Sequence, residues 1–189
     1  MSDNQPSGGK RTAEEEYFYK KDRELIEKLR EQAKIREQLR QLGEKVGVTD
    51  PQIIQELTEL GFTPETVKLL PLIPVLETAW AEGGVSPEER KLVIDVARQR
   101  GVEAESAADH QLAKWLDRQP DESVYRRAGR LISALFESGG RFNVTRDDLI
   151  KYCEAIAEAS GGIFGIRKVS SAERATLARI ADEIKSRQK

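Results

Sequence analysis

The chain has 189 residues, with 31 Lys and Arg set against 33 Asp and Glu, one His and one Cys. No apolar run approaches the ~18 residues of a membrane-spanning helix, the net charge of −2 is not that of a protein coating nucleic acid, and a single Cys with a single His cannot build a Cys/His zinc site. These values leave a soluble, helical chain, and a lone Cys153 without a secretory signal points to a reducing cytoplasm.

Residues 1–11 are polar and are predicted to be disordered, because nothing there offsets the entropy of ordering. Thr12 and Glu15 form a capping-box signature, and no Gly or Pro follows until Gly43, which predicts a long charged helix over 12–43. Glu16–Lys20 and Glu24–Lys28 are i,i+4 pairs in the favourable orientation. Apolar positions are sparse: Leu25, Ile26 and Leu29, then Ile35, Leu39, Leu42 and Val46. The last four keep coiled-coil spacing, but Lys28 and Gln32 interrupt the seam upstream. An exposed helix or half of a short coiled coil follows, hence a monomer or at most a weak dimer. Gly43 and Gly47 are expected to break it.

Residues 44–70 read as a helical connector or the first layer of a bundle. Asp50-Pro51 supplies an N-cap and first-turn proline, Ile53, Ile54, Leu57 and Leu60 form one face, and Gly61 stops the helix. Thr63-Pro64 starts again, while Pro71 and Pro74 require a kink or break near residue 70. From 71 to 189 the chain is richer in Ala, Val, Ile and Leu and reads as a compact bundle. Five helices are predicted there. Ser86-Pro87-Glu88-Glu89 opens the first, Ala104 to Leu116 carries the next face, and Asp121, Thr145 with Asp148, and Ser170 with Glu173 open the rest. No alternating pattern competes, so the fold class is all-α.

Two stretches repeat roughly 80 residues apart. Ala79-Trp-Ala-Glu-Gly-Gly-Val-Ser-Pro-Glu-Glu-Arg is echoed by Ala159-Ser-Gly-Gly and, after an insertion, by Val169-Ser-Ser-Ala-Glu-Arg. Each is a helix end, glycines, an apolar residue and a Ser-capped helix with acid in its first turn. Over about residues 70–189 this arrangement resembles the tellurite-resistance TerB-like family, a helical bundle of two pseudo-repeated halves with an Ala-Asp-Gly turn in each. Ala81-Glu82-Gly83 matches the first turn, whereas Ser160 stands where the second would carry an acid. The resemblance implies a bacterial cytoplasmic module tied to stress responses or membrane-associated assemblies, and not an enzyme. It also associates the acids of these turns with divalent metal, which would fall here on Glu82, Glu88 and Glu89. Read from the residues alone, Gly83, Gly84 and Val85 occupy the places of alternating oxygen ligands, and the same glutamates serve to cap a helix.

The other reactive residue types have ordinary settings. His110 falls off the apolar face of its helix, Cys153 shares a face with Leu149 and Ile156, and Asp147-Asp148 sits at a helix start. Neither a phosphate loop nor a nucleophile–base pair is readable, so the chain is expected to be a non-enzyme without a cofactor. The glycine-rich insertion carries Ile163, Phe164 and Ile166 ahead of Arg167 and Lys168. Phe164 either folds back over the bundle or serves as a partner-binding or membrane-touching tip.

Lys10 to Glu24 has a polar leader, an acidic run Glu14 and Glu15, the adjacent aromatics Tyr17 and Phe18, and then the charged helix. This segment resembles the inhibitory region of the mitochondrial ATPase inhibitor family, although that family's histidine cluster is missing. The resemblance implies docking of Glu14, Glu15, Tyr17 and Phe18 into a catalytic interface of a rotary, F-type ATPase; read from the residues alone, Tyr17, Phe18 and Leu25 instead tack the helix onto the bundle. Two functions of different kinds are thus expected. The first is a non-catalytic interaction protein whose N-terminal helix engages a protein partner. The alternative is a divalent-metal-responsive stress module.

Overall fold

The computed structural model describes residues 13–141, 144–159 and 169–185. They form eight α-helices and one 3₁₀ segment, with no strand among the described residues. In order these are α1 (Ala13–Val46), α2 (Pro51–Glu59), the 3₁₀ segment Val67–Leu72, α3 (Ile73–Ala79), α4 (Pro87–Gln99), α5 (Ala107–Asp117), α6 (Glu122–Glu137), α7 (Arg146–Ala159) and α8 (Ser171–Lys185). The chain divides into two units, Met1–Gln38 and Leu39–Lys189. The leader 1–11 and the Thr12 cap lie outside the described residues.

The first unit contains only the earlier part of α1, and every described side chain from Glu15 to Gln38 is exposed. Its helicity rests on residue choice: no Gly or Pro intervenes, and long charged side chains lose little rotamer freedom in a helix.

The second unit begins at Leu39, well before the start at 71 that composition suggested. α1 runs through Gly43 and ends only at Val46, where Gly47 turns the chain with φ of +73°. Gly43 therefore does not break the helix. A Cβ there would lie 2.8 Å from both Ile54 Cδ1 and Val48 O. The glycine permits the close return of the chain onto α1, and Val48 N–H donates to Gly43 O at 3.0 Å. The expected coiled-coil seam also has another use. Leu42 and Val46 are buried in the core, at 2% and 3% exposure, whereas Ile35 is half exposed. α2 packs against α6 and buries Leu57. α2 is capped by Asp50, whose carboxylate accepts from Gln52 N at 2.8 Å, and Arg127 of α6 pairs with Glu59 at 2.8 Å.

At the centre lies the segment broken by proline near residue 70, as expected. Pro71 sits inside the 3₁₀ segment and Pro74 in the first turn of α3. All of Leu69 to Leu76 is buried. A helix apolar on every side must be surrounded, and α3 packs against α4, α6, α7 and α8. Those helices contribute Val93 and Ala97, Ala128, Ile132 and Leu135, Leu149, Cys153 and Ile156, and Ile180 and Ile184. α5 covers the 3₁₀ segment. Its start differs from expectation: Ala104 is exposed in the preceding turn, where Glu105 has φ of +59° and Ser106 is the cap. Trp80 Nε1 donates to Trp115 O at 2.9 Å, and Arg90 reaches Leu116 O and Asp117 Oδ1 at 2.8 Å.

Two leucines on α1 test where the core begins. Leu42→Ala should cost about 2–5 kcal/mol in urea unfolding, and Leu29→Ala, at an exposed position, less than about 0.5 kcal/mol.

Candidate functional site

The candidate partner-binding residues lie on the first unit's helix. Glu15 is exposed, and Tyr17 and Phe18 are 58% and 57% exposed with their rings edge to face at 5.9 Å. Lys21 Nζ stands 5.8 Å from the Tyr17 ring centre. At 3.6 residues per turn, Phe18, Leu25 and Leu29 fall within about 40° of one another around the helix. Leu25, Ile26 and Leu29 are each about half exposed. Sequence reasoning selected the aromatic pair but not this longer stripe, although its i, i+7, i+11 spacing was readable. Glu14 occupies the first turn of α1. Phe164, with the whole insertion, lies outside the described residues.

The repeated turns have matching geometry. At α4, Ser86 N–H donates to Glu89 Oε2 at 2.7 Å and Glu89 N–H to Ser86 Oγ at 3.2 Å. At α8, Ser170 N–H donates to Glu173 Oε2 at 2.7 Å and Glu173 N–H to Ser170 Oγ at 3.1 Å. Both glutamates are buried, Glu89 at 3% and Glu173 at 0% exposure. Burial raises the Glu89 carboxyl above the usual carboxylate range, its bonds from Ser86 oppose this, and the charges of Glu173 and Glu82 reinforce it. The repeat thus brings two helix starts close enough for one buried carboxylate to act on the other.

Of the three glutamates connected with metal, Glu82 and Glu88 are exposed while Glu89 turns back to bond the amide of its own cap residue. Among the described residues, no group of three or more His, Cys, Asp or Glu side chains is arranged to hold a metal ion. Glu173 was legible only as a cap. The repeat itself was the signal that pairs it with Glu89.

Burial pushes the Cys153 thiol up to about 12, so it is a neutral packing group at pH 7. His110 is exposed, its Nε2 3.3 Å from Glu105 Oε2. Asp148 accepts from Thr145 N–H at 3.0 Å and Oγ1–H at 2.8 Å, and these bonds hold its carboxyl below the usual range. Another acid, the half-buried Glu77 of α3, is raised by desolvation despite its ion pair with Arg179 of α8. No described helix is long and apolar enough to cross a membrane. Comparison with protein-family models, curated proteins and solved structures finds no match for this chain.

Glu89 gives a pH prediction whose sign is set by linkage. Its folded pKa lies above the unfolded value, so its contribution is full below about 4.5 and is lost as pH rises through the folded value. Melting curves of Glu89→Gln and the parent should therefore shift in the variant's favour between pH 4.5 and 7. The opposite trend would mean that the fold favours the charged carboxylate. Ser170→Ala removes one hydroxyl cap and should cost about 0.5–2 kcal/mol in denaturant unfolding.

Proposed function

We propose that this chain is a non-catalytic, cytoplasmic interaction protein, a TerB-like helical bundle whose N-terminal charged helix engages a protein partner. The observation that carries this reading is the stripe Phe18, Leu25 and Leu29, flanked by Tyr17 and Ile26, with each residue about half exposed. Apolar side chains repeated along one helix face are the anchors by which a helix enters a groove. Each hydrophobic side chain fully buried by a partner contributes about 1.5–3 kcal/mol before the costs of association. The flanking mixed charges contribute register and encounter rate more than affinity.

The inhibitor-like run Glu14, Glu15, Tyr17 and Phe18 makes the catalytic interface of a rotary ATPase the first partner to test. Its apolar clefts and charged walls suit aromatic anchors between acids and bases. In the second unit, the paired Ser-Glu boxes at α4 and α8 support the kinship with TerB-like bundles. Both boxes act as helix starts, a structural use that needs no bound metal.

Full-length protein at micromolar concentration should slow ATP hydrolysis by the cognate rotary ATPase, and Tyr17→Ala with Phe18→Ala should abolish the effect at an unchanged Tm. Undiminished hydrolysis with the parent protein would eliminate the ATPase as partner. A general helix-in-groove role has its own measurement, loss of partner capture on Phe18→Ala with Leu25→Ala.

A further inference from the structure

The second unit contains a cavity of about 160 Å³ between the end of α1, the 3₁₀ segment, the end of α4 and the start of α7. Its floor is aliphatic. Val46, Val67, Leu72, Val144 and Leu149 are each at most 7% exposed. An apolar space of about 150 Å³ accommodates a benzene ring.

The mouth has a different chemistry. Lys45, Lys68, Arg100 and Arg141 line it, and among the described residues no acidic side chain does. This is a local inversion in a chain of net charge −2. The larger groove beside α2 and α6 mixes both signs, with Asp50, Glu56 and Glu59 beside Arg127 and Arg130. Like charges repel, so four cations around one small opening are held there by the fold.

Two of the four are fixed by neutral partners. Lys68 Nζ donates to Gly101 O at 2.9 Å, and Arg100 lies 5.0 Å over the Tyr152 ring while donating to its hydroxyl. Arg141 is anchored through its main chain, whose N–H donates to Val46 O at 2.7 Å. Its Cγ lies where a Cβ on Gly47 would come within 2.7 Å, a position open because Gly47 has no side chain. The nearby acids Glu65 and Asp148 accept from Thr63 and from Thr145, and their charges also interact at longer range with Lys45 and Arg100. Among the described residues, no acceptor is hydrogen-bonded to the Arg141 guanidinium or the Lys45 ammonium.

We propose that this cavity binds a small organic carboxylate with a single-ring or compact branched body, the body on the Val67–Leu149 floor and the carboxylate between Arg141 and Lys45. Arginine supplies a planar fork that matches a carboxylate, and lysine adds a point charge. An inorganic anion would leave the floor unfilled, and an uncharged hydrocarbon would leave the cations unmatched. A single ring of six carbons matches the volume.

The test uses the full chain and 3-phenylpropionate as probe, observed through the methyl NMR signals of Val67, Leu72, Val144 and Leu149. Half-saturation is expected at or below about 5 mM, the range that ligand efficiency allows for so few atoms. The uncharged 3-phenylpropan-1-ol should bind at least about tenfold more weakly. Lys45→Gln with Arg141→Gln, both at exposed positions, should reduce affinity for the acid to that of the alcohol without changing Tm. No methyl shift at 20 mM probe (roughly four half-saturations) would overturn the proposal. So would equal affinity for acid and alcohol, or inorganic phosphate shifting the same methyls as far as the acid.

Discussion

The second unit depends on one segment, Leu69–Leu76, that is buried on every side. Leu69, Leu70, Leu72, Ile73, Val75 and Leu76 are all at most 1% exposed. Burying such a run requires every backbone donor and acceptor in it to be satisfied. Pro71 and Pro74 reduce that demand by lacking N–H groups, and the Thr78 hydroxyl bonds back to Pro74 O at 3.0 Å. With the segment's own polar groups accounted for, α4, α6, α7 and α8 present their apolar stripes to it. Each large side chain contributes about 1.5–3 kcal/mol, an upper estimate because the unfolded chain already hides part of it.

The same segment organises both ends of the bundle. Val67 just before it and Leu72 within it line the floor of the cation-mouthed cavity, and Glu77 just after it pairs with Arg179 of α8. The two Ser-Glu boxes add a second constraint. Each uses a buried carboxylate to satisfy amides at a helix start, so these acids are occupied by the backbone. Other charged side chains stand at the cavity mouth and along the first unit's helix. One surface combines cations with an enclosed apolar floor and suits a small anion. The other combines aromatics with both signs of charge on an open helix and suits a protein groove.

The functional reading differs accordingly between the units. The helix of the first unit is held by local propensity and i,i+4 pairing, a weak form of stability that leaves its apolar stripe available. The bundle is held by side-chain burial, and its packed side chains shape the pocket.

The sequence by itself determined the helices. The caps at Asp50, Ser86, Asp121 and Ser170, the proline break near 70 and the burial of Cys153 are local matters, because a cap or an amphipathic stripe is written within a few residues. The exposed setting of His110 was legible for the same reason, whereas the exposure of Tyr17 and Phe18 was not, since their pattern equally suits a helix tacked onto a bundle. Tertiary structure decided what depended on close approach between distant segments. Gly43 looked like a helix breaker until Ile54 and Val48 were found against it. Leu42 and Val46 had coiled-coil spacing, yet their partners are the core of the bundle, since spacing specifies a face and not what covers it. The charge of Glu173 felt at Glu89, and the lining of one cavity by Lys45, Lys68, Arg100 and Arg141, join residues from separate helices and turns. No local pattern encodes such a convergence, because it is set by how apolar stripes pack around α3.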